Sequence, residues 1–300
     1  MTLQELRYLV ALADHSHFGR AAQACHISQP TLSTQIRKLE EQLGVTLFER
    51  TNKSVHVTAA GQDVVARARR ILADTDAILD SGQRQSAPLT GPFRLGIIPT
   101  LGPYMLSWLV PALRREYPAL RLSVQEEMTS RLLEGLTTHR LDAALLALPV
   151  LQAGLESRAL FDEPFWLAMP RDDKMAKGKA VTEDELRGQH LLLLTEGHCL
   201  RDQALAICGS FDAENAPEGD FRATSLETIR QMVATGMGRT LLPAMALGHP
   251  RDSAIALRPL AGGLGRRIGL VWRRSYPGTN NIGLLAKLIA GHLPRGVHRA

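Results

Sequence analysis

One segment near the N-terminus constrains the fold of this chain more than any other. In the stretch HISQPTLSTQIRKLEEQLG, Ser28 is a good N-cap, Pro30 falls in the first turn, and Gly44 ends the helix. Apolar residues lie on one face of this helix, at Leu32, Ile36, Leu39 and Leu43. The other face begins with hydrogen-bonding groups and one forked cation, namely Gln29, Thr31, Ser33, Thr34 and Arg37.

Such a polar helix start suits the major groove of DNA, where short polar groups reach base edges and phosphates. Helical spacing before it, from Leu3 to Ala13 and in the small-residue stretch FGRAAQAC, completes a helix-turn-helix. A plain three-helix bundle with a solvated polar face explains the same spacing equally well. The helices alone therefore leave both interpretations open.

The next segment, VTLFERTNKSVHVT, predicts a β-hairpin with TNKS as its turn. Arg50 and Lys53 lie on or near that turn, and a basic hairpin after a helix-turn-helix is typical of a wing that contacts phosphates. The combination favours an all-α winged helix-turn-helix that binds DNA. The expected contact residues are Ser28, Gln29, Pro30, Thr31, Ser33, Thr34, Arg37, Arg50 and Lys53.

Charge by itself does not indicate DNA binding. The net charge is +5, but residues 1–60 hold six Lys/Arg and five Asp/Glu. The basic excess lies in the last forty residues, which hold seven Lys/Arg and no acid and which we interpret as a solvated surface.

A long helix capped by Thr58 is expected next, about 24 residues and about 36 Å long. Its apolar seam has roughly coiled-coil spacing and comprises Val64, Ala68, Ile71, Thr75, Ile78 and Leu79. A long exposed seam predicts a dimer. The stretch SGQRQSAPLTG that follows has the composition of a linker.

From residue 91 the pattern alternates between strands and helices, which predicts an α/β fold with a mostly parallel sheet. The strand-like segments are FRLGII, LRLSVQEE, LDAALLAL, FWLAMP, HLLLLT, RTLLP and RIGLVW. Capping boxes at Thr182 with Glu185 and at Thr224 with Glu227 open two helices, and a last helix starts at Asn280. The sequence has no phosphate loop, metal-ligand cluster or Ser/His/Asp arrangement, so we expect no cofactor and no metal.

The N-terminus lacks the pattern of a signal peptide, and the longest apolar stretch, AALLALPVL, is too short to span a membrane. We therefore expect a cytoplasmic protein without a membrane partner. Disulfides are rare in that compartment and are usually transient or redox-sensing.

Two of the three cysteines, Cys199 and Cys208, flank LRDQALAI, which has good helix propensity. A helix would hold their Cα atoms roughly 13 Å apart, whereas a disulfide needs roughly 4.4–6.8 Å. Either the segment is never helical, or bridging requires it to unwind. The commoner interpretation of such a pair is two inert core cysteines, and Cys25 we interpret as core filling.

A reactive thiol has to form a thiolate. At the start of a helix, the helix dipole would favour that charge on Cys199, with Arg201 and Arg266 as candidate cationic neighbours. Cys208, between Ile207 and Gly209, has the surroundings of a buried resolving partner.

The stretch FGRAAQACHISQPTLSTQIRKLEEQLGVTLFER, followed by VTAAG, closely resembles the LysR-type transcriptional regulators. The resemblance implies a winged helix-turn-helix, a dimerising linker helix and an α/β regulatory domain of two Rossmann-like subdomains similar to periplasmic binding proteins. The expected boundaries are 1–58, 59–85, a hinge at 86–90, and 91–300. The regulatory domain divides into 91–163 with 268–300 and 164–267, with crossings near 162–165 and 266.

The segments EGHCLRDQAL, FDEP, FRATSLET and IGLVW further resemble the peroxide-sensing members of that family. The resemblance implies that peroxide oxidises Cys199 to a sulfenic acid and that Cys208 then closes a disulfide. The segment between them would refold, the dimer interface would rearrange, and antioxidant genes would be activated. Implied partners are promoter DNA, RNA polymerase, hydrogen peroxide and further copies of the chain, as a homodimer through the linker helix and as a homotetramer.

The resemblance also implies a peroxide pocket. Thr100 and Thr129 match pocket positions, although each also precedes a helix-like run and could cap it. Arg266 matches a basic residue that stabilises the thiolate, and Arg267 beside it leaves open which arginine serves.

His198 either shapes the pocket or caps a turn, and Asp202 positions neighbouring groups. Two other functions stay open: a regulator that binds a metabolite and has inert cysteines, and a thiol peroxidase. The helix-turn-helix and the lack of a CxxC motif speak against the peroxidase.

Overall fold

A computed structural model describes residues 1–50, 55–83, 89–209, 223–248 and 254–300, apart from the side chains of residues 50, 77 and 79–83. The chain divides into two compact units, Met1–Ala87 with Thr138–Arg140 and Pro88–Thr137 with Leu141–Ala300, and each is described by itself. Among the described helices, none combines the length and the apolar character that crossing a membrane requires.

The first unit begins with three helices: α1 (Leu3–His15), α2 (Phe18–Ala24) and α3 (Gln29–Leu43). Ser28 is the N-cap of α3 and its hydroxyl accepts from the Thr31 N–H, while Gly44 ends the helix in the left-handed region with φ +68°. The apolar face predicted for α3 packs into the core of the unit through Leu32, Ile36 and Leu39, whereas Leu43 at its end is 37% exposed. The predicted helix and both of its ends are confirmed.

The predicted hairpin follows as β1 (Phe48–Arg50) and β2 (Val55–Val57), paired antiparallel. The Glu40 carboxylate of α3 fastens it, because Oε1 accepts from the backbone N–H groups of Leu47 and Phe48 at 2.9 and 3.1 Å. The turn predicted at residues 51–54, which includes Lys53, lies outside the described residues, as does the Arg50 side chain.

The long helix is α4 (Ala59–Gln83), and the Thr58 hydroxyl caps it by accepting from the Gly61 N–H at 2.9 Å. Ala68 of the predicted seam is buried in the core of its own unit. Ile71 and Ile78 are 41% and 71% exposed, which is unusual for large apolar side chains. The Leu79 side chain and residues 84–88 of the predicted linker lie outside the described residues.

The second unit is built on a mixed sheet rather than the mostly parallel one predicted. Its strands are β3 (Gly91–Ile97), β4 (Leu120–Glu126), β5 (Ala143–Leu148), β6 (Leu155–Pro170), β7 (Thr240–Pro243), β8 (Ile255–Pro259), β9 (Gly265–Arg273) and β10 (His298–Arg299). The order is β10-β6-β9-β5-β3-β4, with β7 and β8 also paired to β6. β3 is parallel to β4 and β5, and the other pairings are antiparallel. The parallel prediction was wrong because β9 returns late in the chain and pairs antiparallel with both β5 and β6.

The helices of this unit are α5 (Gly102–Glu116), α6 (Thr129–Thr137), α7 (Glu183–Leu186), α8 (Cys199–Cys208), α9 (Leu226–Ala234) and α10 (Thr279–Gly291). The capping box of Thr182 and Glu185 at α7 is confirmed. The cap of α9 is Ser225 rather than Thr224, and its hydroxyl accepts from the Thr228 N–H. HLLLLT forms only isolated bridges at Leu191 and Leu194 instead of the predicted strand.

β6 belongs to two parts of the sheet. From Leu155 to Pro164 it pairs with β9, and from Phe165 to Pro170 it pairs with β7 and β8. Each part covers its own hydrophobic core. The first core contains Leu95, Ile97, Leu145 and Phe161, and the second contains Phe165, Leu167, Ile229 and Leu242.

Candidate functional site

Cys199 is the first residue of α8, where the helix N-terminus meets the first hydrophobic core. Its thiol is free and partly buried, and it packs against that core. The N-cap residue, His198, makes no side-chain capping bond, which removes the turn-capping interpretation of this histidine. The segment between the two cysteines is helical, so of the two alternatives left open by the sequence, bridging requires it to unwind.

A fully buried ion pair lies beside the thiol. The Arg266 Nε donates to Glu163 Oε2 at 2.8 Å, and both side chains are 0% exposed. The two other nitrogens of the guanidinium donate to Thr100, Nη1 to the hydroxyl at 2.6 Å and Nη2 to the carbonyl at 3.0 Å. One cation thus joins β9 to the carboxyl end of β3.

Glu163 is the residue of this site that the sequence interpretation missed. Its second oxygen, Oε1, accepts from the Met245 N–H at 2.9 Å, so both carboxylate oxygens have partners. The signal available in the sequence was an acid inside the apolar strand FDEPFWLAM, since a charge in a buried strand requires a partner. Its position on β6 opposite Arg266 is visible only in the structure.

Neither pocket threonine caps a helix. The residue before α5 is Leu101, without a side-chain capping bond, and the Thr100 hydroxyl accepts from Arg266 instead. The Thr129 hydroxyl is buried and has no hydrogen-bond partner of normal geometry. It nevertheless lies close enough to Cys199 to lower the pKa of that thiol. The Thr129 hydroxyl therefore lies beside the sulfur, and the Thr100 hydroxyl is bonded to the Arg266 guanidinium whose charge acts on that sulfur.

Burial raises the pKa of the Cys199 thiol above its ordinary value, and Arg266, Thr129 and the Leu200 N–H oppose this effect. The helix N-terminus and Arg266 favour the thiolate as expected, but burial, which the sequence does not show, is the larger effect on the pKa. The exposed Asp202 raises the pKa of Cys199 slightly further. Ionisation of Cys199 depends on Arg266 and Thr129 offsetting its burial.

The two candidate arginines beside Arg266 point elsewhere. Arg267 is exposed and forms a bidentate pair with Asp162, at 2.7 and 2.8 Å. Arg201 donates to the Leu194 carbonyl at 3.1 Å. Of the three cations named from the sequence, Arg266 is the one whose charge acts on the Cys199 thiol.

His198 is a buried imidazole without partners. It is 3% exposed, and neither ring nitrogen has a hydrogen-bond partner in the described structure. Burial lowers the pKa of this histidine, which favours the neutral ring. A neutral ring offers one donor and one acceptor, so the residue beside Cys199 has unused hydrogen-bonding capacity.

Cys208 is at the other end of α8 and in the other core. It is buried among the apolar residues of the second core, and burial raises the pKa of its thiol to about 11. Ten helical residues place the two cysteines on opposite faces with Cα atoms about 14 Å apart. Both thiols are free, and at this separation a bond between them is impossible without movement of the backbone.

Seven of the nine residues expected to contact DNA lie at the cap of α3 or between Gln29 and Arg37 within it. Ser28, Gln29, Pro30, Thr31, Thr34 and Arg37 are exposed, and Ser33 is half-buried. The hydroxyl of Thr34 donates to the Pro30 carbonyl at 3.0 Å, and those of Ser28 and Thr31 are 2.7 Å apart. Cys25, half-buried at the end of α2, only partly fits the core-filling interpretation.

No cluster of three or more His, Cys, Asp or Glu side chains suited to a metal ion occurs among the described residues. The site is therefore described by its thiols, the buried ion pair, the two hydroxyls and one imidazole.

Comparisons with known proteins cover nearly the whole chain. Residues 3–62 match the family described as bacterial regulatory helix-turn-helix protein, lysR family, and residues 86–294 match the LysR substrate binding domain. The chain is 43% identical over 295 residues to the DNA-binding transcriptional dual regulator OxyR of Escherichia coli K12, covering 98% of this chain and 96% of that protein.

Two solved structures are also similar over most of their length. A full-length cysteine-to-aspartate variant of OxyR from Pseudomonas aeruginosa matches with a TM-score of 0.82 and 40% identity, over 96% of this chain and 94% of that one. A hydrogen-peroxide-bound mutant of OxyR from Corynebacterium glutamicum matches with a TM-score of 0.65 and 34% identity, over 97% and 92%. By its two matched domains and its full-length similarity, the chain belongs to the LysR family of bacterial helix-turn-helix regulatory proteins.

Proposed function

We propose that the protein is a DNA-binding transcriptional regulator that senses hydrogen peroxide through a reversible Cys199–Cys208 disulfide. The observation that carries the proposal is the placement of Cys199. Its thiol lies beside the Thr129 hydroxyl and a buried cation that is bonded to Thr100, at one end of a helix whose other end holds a second free thiol. Relatives named as hydrogen peroxide-inducible genes activators, and OxyR structures in reduced and oxidised forms, support it.

The first chemical step is attack of the Cys199 thiolate on one peroxide oxygen. The O–O bond breaks, the cysteine becomes a sulfenic acid, and hydroxide leaves and takes a proton. In the proposed pocket, the hydroxyls of Thr100 and Thr129 hold the peroxide oxygens, and Arg266 stabilises the thiolate and the leaving hydroxide. His198 contributes its unused ring nitrogens, and Asp202 positions the first turn of α8.

The second step is attack of the Cys208 thiolate on the sulfenic sulfur, which forms the disulfide and releases hydroxide. Because the two Cα atoms begin about 14 Å apart, α8 unwinds and Cys208 leaves the second core before this bond forms. Reduction by a cellular dithiol reverses the change. The protein reacts once and waits for reduction, and in this respect it is a regulator rather than an enzyme.

On the DNA side, the exposed start of α3 enters the major groove of a promoter, and the wing with Arg50 and Lys53 contacts phosphates. The proposal includes a homodimer through α4, where Ile71 and Ile78 are exposed, assembly into a homotetramer, and contact with RNA polymerase. It includes the predicted domains 1–58, 59–85 and 91–300 with the hinge at 86–90. It also includes the predicted chain crossings between the two subdomains, near 162–165 and 266. The oxidised form activates antioxidant genes in the cytoplasm.

The test is thiol mapping. The reduced protein receives a slight molar excess of hydrogen peroxide, and its cysteines are mapped by mass spectrometry over time. The expected product is a 199–208 disulfide with Cys25 unmodified. Cys199→Ser should abolish the reaction, and Cys208→Ser should leave a sulfenic acid that a dimedone probe captures.

Unmodified Cys199 and Cys208 at micromolar peroxide would overturn the proposal and favour a regulator that binds a metabolite. Continuous peroxide consumption with a thiol reductant, at many turnovers per chain, would instead favour a thiol peroxidase. Footprints of the reduced and oxidised protein on the same promoter DNA then show whether the disulfide changes the DNA contacts.

A further inference from the structure

We propose that Glu163 is a positioning residue that holds the Arg266 guanidinium against Thr100 and beside Cys199. The inference rests on the proposed function, because it concerns the reactivity of the thiol in that site. Glu163 is not among the groups that act directly on the Cys199 thiol, so its effect passes through Arg266.

The backbone places the two charges opposite each other. Glu163 and Arg266 are register partners on the antiparallel strands β6 and β9, at the point where β6 changes its pairing partners. Their side chains turn inward, whereas the neighbouring pair Asp162 and Arg267 turns outward. The same strand pairing thus carries one buried ion pair and one exposed ion pair in adjacent positions.

The geometry assigns a separate task to each nitrogen of Arg266. A guanidinium is planar and rigid, so fixing Nε by Glu163 also fixes the directions of both Nη groups. Those two groups donate to the hydroxyl and the carbonyl of Thr100. Without the carboxylate, no described contact would hold Nε in place, and the Arg266 side chain could adopt other rotamers.

The carboxylate is itself held from a second direction. Its Oε1 accepts from the Met245 N–H, and the Met245 side chain packs against the first core, as Cys199 does. Charges removed from water are costly unless they are paired and fully hydrogen-bonded, and apolar replacements are often no less stable. A pair with every carboxylate oxygen satisfied in this position is better explained by orientation of the cation than by stability of the fold.

The proposal and its alternative, that Glu163 only neutralises Arg266, predict opposite changes in the pKa of the Cys199 thiol. If Glu163 only neutralises Arg266, removing its charge strengthens the cation and lowers the pKa of the Cys199 thiol. If Glu163 positions Arg266, removing it lets the guanidinium move away, and the pKa of Cys199 rises. The other charged or polar groups that act on this thiol, Thr129 and Asp202, stay unchanged in the comparison.

The experiment measures the rate of Cys199 alkylation by iodoacetamide between pH 6 and 10, in full-length protein whose other two cysteines are replaced by serine. Glu163→Gln should lower the rate at pH 7 by about three- to tenfold, because a one-unit rise in pKa means tenfold less thiolate. Asp162→Asn is the matched control on the same strand and should leave the profile unchanged. In the Arg266→Ala background, Glu163→Gln should no longer slow alkylation, because the guanidinium that it would position is absent.

An unchanged or faster alkylation in Glu163→Gln, in a protein with wild-type circular dichroism and wild-type melting temperature, would overturn the proposal. If that variant is unfolded, Glu163→Asp gives the answer, since it keeps the charge and withdraws the carboxylate by one methylene. Positioning predicts slower alkylation in Glu163→Asp, and neutralisation alone predicts no change. Alkylation needs no peroxide, so a failed peroxide response would reject the sensor function and leave this measurement valid.

Discussion

Cys199 and Cys208 begin and end the same helix, α8, yet they pack into different hydrophobic cores. Their opposite orientation follows from nine residues of separation at 100° each. A disulfide between them therefore opposes both the helix and the packing of the second core. The reduced conformation has to be given up before the bond forms.

Weakening α8 should favour the disulfide. Ala206 is exposed and lies in the last turn of α8. Ala206→Gly lowers the stability of the helix by up to about 1 kcal/mol. Since about 30 mV corresponds to 1.4 kcal/mol for a dithiol couple, we expect the midpoint potential to become more negative by up to about 20 mV. Redox titration against glutathione measures it. Lys287→Gly in α10 is the control, and a positive shift in Ala206→Gly would contradict unwinding.

His198 should make the stability of the second unit depend on pH. Burial lowers the pKa of this histidine below its usual 6.5, so the unfolded chain binds the proton more readily. The stabilising contribution is present above pH 6.5 and is lost as the pH falls from there towards the lowered pKa.

Urea unfolding at pH 7.5 and pH 5.5 compares the two states. His198→Gln should flatten the pH dependence, whereas the exposed His298 replaced by Gln should not. Equal pH dependence in wild type and His198→Gln would show that the ring is charged or solvated in the folded protein.

The bidentate ion pair between Asp173 and Arg239 should stabilise the folded protein at pH values at which Asp173 is ionised. The carboxylate of Asp173 accepts from Arg239 at 2.6 and 3.0 Å and from the Met175 N–H at 2.8 Å. Burial raises the pKa of Asp173, but these hydrogen bonds outweigh it and lower the pKa below the usual 3.8. Stability is therefore present above pH 3.8 and lost as the pH falls through the lowered pKa.

At pH 7, Asp173→Asn should reduce the free energy of unfolding by about 1–3 kcal/mol, because it removes charge-assisted hydrogen bonds in a mostly buried site. Asp162→Asn, which breaks the exposed pair with Arg267, should cost less than about 1 kcal/mol. Denaturant titrations of both variants measure the difference. Equal losses in the free energy of unfolding would mean that the more buried pair, Asp173 with Arg239, stabilises the fold no more than the exposed pair does.

DNA binding should depend on the exposed start of α3. Arg37→Ala removes the one forked cation of that surface, and we expect at least about tenfold weaker binding. Fluorescence anisotropy with a duplex selected from a random library by the wild-type protein gives the affinity. Lys287→Ala, an equal loss of charge in the other unit, is the control. Unchanged affinity in Arg37→Ala would remove this residue from the interface.

Local signals in the sequence predicted local structure well. Ser28, Gly44 and the Thr182–Glu185 box act within one helical turn, so their residue types alone fix the ends of helices. At α9 the predicted cap, Thr224, was wrong by one residue, because the backbone path that puts Ser225 at the N-cap is not visible in the sequence. The direction of strand pairing depends on segments far apart in the chain, which explains the error about the parallel sheet.

The candidate site shows the same division. The cysteines and Arg266 were identified from motifs, whereas the role of Glu163 depends on its contact with Arg266, 103 residues away in the chain. The position of Cys199 at a helix N-terminus is visible in the sequence, whereas its burial against a core, which raises the pKa of the thiol, is not. Distant pairing and desolvation are the two properties that the sequence did not reveal.

The continuous strand β6 limits how the second unit can move. Hydrogen bonding persists through the point where β6 changes partners, since the Phe165 N–H donates to the Leu264 carbonyl and the Phe165 carbonyl accepts from the Leu260 N–H. A strand of 16 residues is about 50 Å long. The two cores are thus joined by a hydrogen-bonded strand rather than by a flexible linker. A large change in the angle between the two cores would break this hydrogen-bond ladder. We therefore expect a structural change at Cys199 to reach the rest of the protein through local refolding of α8 rather than through closure of the two cores on each other.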